Sequence, residues 1–151
     1  NASWGADAIT RYGRIDIGVA VAIEDGLITP VVRGADNLTP ADISKEVRAL
    51  AGRAKEGKLT PDEFTNSTFT ISNLGMFGIE QFTAIINPPE SAILAVGGIA
   101  QVPVAKDGVL ALGWQMKVTL TCDHRAIDGA TGAAFLQKVR DYIEAPALLL
   151  L

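Results

Sequence analysis

Between positions 15 and 23 the chain alternates. Ile15, Ile17, Val19, Val21 and Ile23 are separated by Asp16, Gly18, Ala20 and Ala22. A period of two predicts one β-strand that buries its isoleucine and valine face. Asp25-Gly26 follows, a dipeptide suited to a tight hairpin. Residues 27–33 then return as a second strand, in which Pro30 lacks an amide donor and marks an edge or irregular position. Residues 67–72 alternate again, with Phe69 and Ile71 on one face and Thr68, Thr70 and Ser72 on the other. Residues 73–78 form a turn-rich loop. The continuous apolar run 91–100 predicts a central strand, Lys106-Asp107-Gly108 a hairpin tip, and residues 109–122 a long return strand.

The helical signals lie elsewhere. Leu38-Thr39-Pro40-Ala41-Asp42-Ile43 places threonine at the N-cap, proline at N1 and an acid at N3, with Leu38 and Ile43 spaced as a hydrophobic staple. The apolar face of this helix continues through Val47, Leu50, Ala51 and Ala54, and Gly57 can stop it. Leu59-Thr60-Pro61-Asp62-Glu63-Phe64 repeats the start pattern, with Thr60 and Glu63 as a capping box around a single turn. Asp128 caps a last helix whose buried face is predicted to carry Phe135, Leu136, Val139, Tyr142 and Ile143, and Pro146 ends it. Hairpin strands with segregated helices predict an α+β fold: helices layered over a mixed sheet.

Composition narrows the partners. A chain of 151 residues with 48% apolar and 20% charged side chains has an ordinary globular balance and suits one domain. The net charge of −4 and the lack of a basic run point away from nucleic acid. No apolar run reaches the length of a membrane span. The closing Leu148-Leu149-Leu150-Leu151 is too short to span and is predicted to dock on another surface. The single cysteine excludes an internal disulfide and points to a reducing compartment.

The candidate chemistry centres on LTCDHRAIDG (120–129), which holds the only histidine and the only cysteine. By strand parity His124 falls on the apolar face with Met116, Val118, Leu120 and Cys122. It then reads either as a buried, satisfied imidazole or as a tuned base. Asp128-Gly129 reads as a turn and helix cap. A thiolate at Cys122 is disfavoured by its apolar row, and a metal site lacks a third His or Cys. Ser72 is either a solvent-facing strand serine or a hydroxyl aimed at a developing oxyanion.

Four segments in order, EGKLTPDEF (56–64), TFTISNLGMFG (68–78), INPPESAILAVG (86–97) and DHRAIDG (123–129), resemble the catalytic domain of dihydrolipoamide acyltransferases. These are the E2 core subunits of 2-oxo-acid dehydrogenase complexes, and the 73–78 loop is most similar to the pyruvate, acetyl-transferring class. The resemblance runs along essentially the whole chain. It implies a chloramphenicol acetyltransferase-like mixed sheet with helices on one side, in a trimer with active sites between subunits. It also implies acetyl transfer between dihydrolipoamide and coenzyme A, with His124 as general base, Ser72 as oxyanion donor and Asp128 ordering the loop that presents His124. Phe82 and Leu94 match positions lining the substrate channel.

Further implications concern assembly and surroundings. The lipoyl group rides on a separate domain, and no metal takes part. The partners implied are further copies, in a trimer and then a cubic or dodecahedral core, lipoyl domains, and the other subunits of the complex. The location implied is the bacterial cytoplasm or the mitochondrial matrix. The family's catalytic domain extends upstream of the match, so residues 1–151 are expected to be its C-terminal part, incomplete at the N-terminus, with the lipoyl and peripheral-subunit-binding domains absent. In related enzymes that upstream segment supplies an arginine partner for the aspartate matching Asp128, and Arg125 or Arg11 is the candidate to take its place in this chain. A non-catalytic, core-forming scaffold subunit is the alternative. An antibiotic acetyltransferase on the same fold is disfavoured by the motif wording.

Overall fold

The computed structural model describes residues 1–150, of Leu150 the backbone alone. Two short strands, β1 (Ala2–Trp4) and β2 (Ile9–Arg11), open the chain as an antiparallel hairpin. There follow β3 (Ile17–Val19), β4 (Val21–Ile23), β5 (Gly26–Ile28), β6 (Val31–Val32), helix α1 (Pro40–Lys55), β7 (Phe69–Asn73), β8 (Ala92–Lys106), β9 (Val109–Cys122) and helix α2 (Gly129–Glu144). The main sheet has the order β6-β3-β7-β8-β9, and β4 and β5 pair as a separate hairpin. β3 and β8 lie parallel to β7, while β6 and β9 run antiparallel to their neighbours. The expected α+β fold over a mixed sheet is the one observed.

The local signals specify the elements they belong to. Thr39 accepts from the Asp42 amide at 3.2 Å, Pro40 is the first helical residue, and Gly57 follows the end of α1 at φ 67. The Thr60 amide donates to Glu63 Oε2 at 2.9 Å around one 3₁₀ turn. Asp107 and Gly108, with φ of 53 and 78, turn the β8–β9 hairpin at the predicted tip. This is the mirror-image turn that suits twisted strands.

Three expectations are corrected. The strand predicted over 15–23 breaks at Ala20 into β3 and β4, which join different sheets. The Ala20 amide still reaches the Ile71 carbonyl at 2.9 Å and Val19 reaches Pro30 at 2.8 Å. Beyond that point the chain peels off to pair with β5, and Pro30 sits in the gap between β5 and β6 where no donor is needed. The buried face is also the opposite one. Asp16 is 1% exposed and Gly18 is buried, whereas Ile15 is exposed and Ile17 and Val19 are half-buried. An added Cβ at Gly18 would meet Thr29 Cγ2 at 2.7 Å and Thr70 Oγ1 at 2.9 Å, so the polar-looking side of the alternation is the close-packed one. Lastly, α2 packs against the sheet through the Phe69–Phe135 ring pair, with centroids 5.7 Å apart, and through Gly132 over Leu120 and Cys122. Phe135, Tyr142 and Ile143 nevertheless remain exposed, and a groove of about 970 Å³ opens between α2 and β9. Periodicity marked the apolar stripe of α2, but too little of this chain lies over it to bury it.

The register explains where side chains point. Thr70 pairs with Ile93, and Ile93 with Thr121; Ser72 pairs with Ala95, and Ala95 with Thr119. These residues share one face, which therefore carries a field of hydroxyls. Leu94, Leu120 and Cys122 lie on the other face, under α2. The predicted C-terminal docking segment forms a 3₁₀ turn over Pro146–Leu150 with Leu148 and Leu149 exposed. Its last residue, Leu151, lies outside the described residues.

Candidate active site

β9 ends at Cys122, two residues short of the histidine. His124 therefore does not continue the apolar strand face. It sits on an exposed turn between β9 and α2, which removes the reading of a buried, satisfied imidazole. The turn is fixed from both sides. The Asp123 amide donates to the Ser91 carbonyl at 2.8 Å, and the Asp123 carbonyl accepts from Ala126 at 3.0 Å and Ile127 at 2.9 Å. Asp123 Oδ1 accepts from the Arg125 amide and from Arg125 Nε, both at 3.0 Å, and Oδ2 from Arg125 Nη2 at 2.7 Å. The side-chain and backbone hydrogen bonds from Arg125 hold the Asp123 carboxyl at about 2.

Asp128 closes the other end of the turn as the N-cap of α2. Its Oδ1 accepts from the Thr131 amide at 2.8 Å and its Oδ2 from the Thr131 hydroxyl at 3.1 Å. These bonds, backbone first, keep its carboxyl below the usual range, and the nearby charge of His124 lowers it further. Arg125, one of the two arginines expected to pair with Asp128, is held by Asp123 instead. Burial pushes the Cys122 thiol up, which fits a packed side chain and not a nucleophile. Among the described residues no group of three or more His, Cys, Asp and Glu comes together as a metal-ligand set, and no helix is long and apolar enough to cross a membrane.

Ser72 lies near the end of β7, half-buried on the hydroxyl face. It is not near His124 within one chain. Ser72 and Thr119 sit level on either side of Ala95. Two inter-strand spacings separate them, about 10 Å, and three further residues along β9 to Cys122 add another ~10 Å, so the gap is already roughly 14 Å before His124 is reached. Phe82 is half-buried in the irregular segment between β7 and β8. Leu94 is in the core at 7% exposure, facing away from Ser72. One chain thus brings His124, Asp128 and the unpredicted Asp123 together, and leaves Ser72 and Leu94 apart from them. The signal for Asp123 was present in the Asp-x-Arg spacing, since aspartate readily accepts from the amide two residues on.

The family model for the 2-oxoacid dehydrogenases acyltransferase catalytic domain matches residues 1–151. The chain belongs to this family. A Rickettsia bellii protein named as the dihydrolipoyllysine-residue acetyltransferase component of the pyruvate dehydrogenase complex is 52% identical over 151 residues, covering 100% of this chain and 36% of that protein. The chain therefore spans little more than a third of that relative's length. Curated relatives include bacterial and mitochondrial proteins. The structure of Azotobacter vinelandii dihydrolipoamide acetyltransferase, solved to investigate a serine, a histidine and an asparagine in its catalytic mechanism, superposes with a TM-score of 0.94. Its sequence is 36% identical, and the match covers 100% of this chain and 63% of that one. The cubic core of a pyruvate dehydrogenase multienzyme complex gives the same four values. The family's core fold is thus the fold of this chain.

Proposed function

We propose that this chain transfers acetyl groups between dihydrolipoamide and coenzyme A, in a site shared between two copies. The observation that carries the reading is the sole imidazole, held exposed on a turn clamped at both ends. The comparison supports the residue set. In the A. vinelandii enzyme the serine precedes the histidine by the same number of residues as Ser72 precedes His124, and the asparagine follows by the same four residues as Asp128. An amide stands there in place of the carboxylate of Asp128. An amide cannot take up the proton, so the shared role is to order the turn, which agrees with Asp128 acting as a helix cap.

The chemistry follows from thiol ionisation. A free thiol of pKa ~8.5 is mostly protonated at neutral pH, and His124 removes its proton as sulfur attacks the thioester carbonyl. The C–S bond forms, the carbonyl electrons move to oxygen, and Ser72 Oγ donates a hydrogen bond to that oxyanion. Collapse expels the second sulfur, which recovers the proton from the imidazolium. No electron is gained or lost overall, and no metal is required. Because His124 and Ser72 of one chain are too far apart to serve one carbonyl, the hydroxyl comes from a neighbouring copy. A trimer supplies that arrangement, and cubic or larger cores, lipoyl domains and the other subunits of the complex are its proposed partners. Phe82 is proposed to line the path of the substrate, a role that Leu94, buried under α2 and facing away from Ser72, does not fit; the bacterial cytoplasm or the mitochondrial matrix is the proposed location. The scaffold-only reading is not favoured, since assembly alone gives no role to an exposed, clamped histidine.

Acetyl transfer from acetyl-CoA to free dihydrolipoamide tests the reading. His124→Ala is expected to lower kcat by about 10²–10⁴ and Ser72→Ala to raise the barrier by about 3 kcal/mol, both with folding and assembly intact. Wild-type rates in His124→Ala would refute the assignment.

A further inference from the structure

We infer that Asp123 is a positioning residue for the His124 imidazole, acting through Arg125 and Trp4; the inference rests on the acetyl-transfer reading. His124 lies between two residues that are locked to each other. Asp123 takes four hydrogen bonds from Arg125, one from its backbone amide and three from its guanidinium, so its carboxylate fixes the peptide unit that follows the histidine, while its carbonyl, accepting from Ala126 and Ile127, fixes the one that precedes it. The Asp123 side chain is 19% exposed and Arg125 is 64% exposed, so the acid is the sheltered member of the pair.

The guanidinium does not end in solvent. It lies 5.2 Å from the ring centroid of Trp4, in cation–π range. Trp4 belongs to β1, and β1 is tied to the same place. The Ser91 amide donates to the Ala2 carbonyl at 3.1 Å, while the Ser91 carbonyl accepts from the Asp123 amide. Ser3 also bridges to Glu90. Ser91 is therefore a node from which one strand runs to Trp4 and one turn runs to His124, and the Asp123–Arg125 pair closes the ring. Asp128 fixes the far end of the turn; Asp123 fixes the end at which the imidazole is mounted. A general base displaced by about 1 Å can lose about two orders of magnitude in rate, so this clamp bears directly on turnover.

The histidine is the only one in the chain, so its ring signal in NMR is unambiguous. In the full chain, Asp123→Asn is expected to split or broaden the His124 ring resonances and to lower kcat by about ten- to a hundredfold, with KM for both thiol substrates unchanged and the chain still folded at the assay temperature. Arg125→Met, which leaves the Asp123 carboxylate and the backbone bond in place, is expected to act in the same direction, and the double variant to be no worse than Asp123→Asn. If Asp123→Asn does not fold, Arg125→Met decides by the same readouts. An unaltered ring signal with wild-type kcat overturns the inference, as does a rise in KM with kcat unchanged. If the wild-type chain transfers no acetyl group, the functional reading fails, and the ring signal alone then decides whether Asp123 holds the histidine.

Discussion

Asp16 is the most completely enclosed charge among the described residues, and its environment sets an acid limit on the fold. Burial alone pushes its carboxyl up. The Gly34 amide at 2.8 Å and the guanidinium groups of Arg14 at 2.7 Å and Arg33 at 3.2 Å outweigh that cost and hold it below the usual carboxylate range. A carboxyl whose folded value is depressed contributes stability that is complete above its unfolded value, about 4, and that is lost as the pH falls through the folded value. Unfolding free energy by denaturant titration is therefore expected to fall as the pH drops below ~5. Asp16→Asn is expected to flatten that slope and to cost about 1–3 kcal/mol at neutral pH, because the buried side chain loses its charge-assisted hydrogen bonds from Gly34, Arg14 and Arg33. A variant with the wild-type acid slope would show that the network is not what the acid limit reports.

Among the elements, the β8–β9 ladder carries the tightest constraint. Val96 pairs with Val118 and Ile99 with Met116, so Gly97 and Gly98 face Lys117 alone in a bulge. A methyl at Gly97 would overlap the Glu80 carbonyl, and the Gly98 amide is already spent on the Ile79 carbonyl at 2.8 Å. Those obstacles are backbone and cannot rotate away. Gly97→Ala is expected to cost more than about 2 kcal/mol by denaturant titration, whereas Gly52→Ala, where the new Cβ meets nothing within 4 Å, is expected to be neutral or stabilising. Equal effects at the two sites would contradict the packing described.

What the sequence disclosed about these elements depended on range. Thr39-Pro40, Asp107-Gly108 and Asp128 act on amides a few residues away, so their roles were legible without the fold. The alternation at 15–23 announced a strand, but a period of two does not say which face is inside, and the partner that decides it, Thr70, is far along the chain. Parity puts His124 on the strand because nothing in the apolar run says that the ladder stops at Cys122. The Asp123 turn stops it. The roles proposed for His124, Asp128 and Ser72 come from the wording of the motifs; the separation of Ser72 from the histidine turn is visible only in the strand register.

At the scale of the whole molecule the chain leaves apolar surface open. Leu110 is 78% exposed and Trp114 is 72% exposed on β9, and Trp114 with Ile143 lines the groove beside α2. Contiguous exposure of this kind marks an interaction face, and a further copy is the occupant that the proposed shared site requires. Light scattering is expected to report a trimer or a multiple of it, and Trp114→Glu to shift the population toward monomer with loss of transfer. A fully active monomer would contradict the shared site.

The most direct measurement mixes two dead variants. Chains carrying His124→Ala and chains carrying Ser72→Ala are co-expressed in equal amounts and assayed for acetyl transfer. In a closed ring of heterologous contacts, about one interface in four then joins an intact histidine to an intact serine, so roughly a quarter of the wild-type rate is expected to return. If the mixture stays as inactive as either variant alone, while mass measurement shows that the two chains have assembled together, the imidazole and the hydroxyl do not meet across copies.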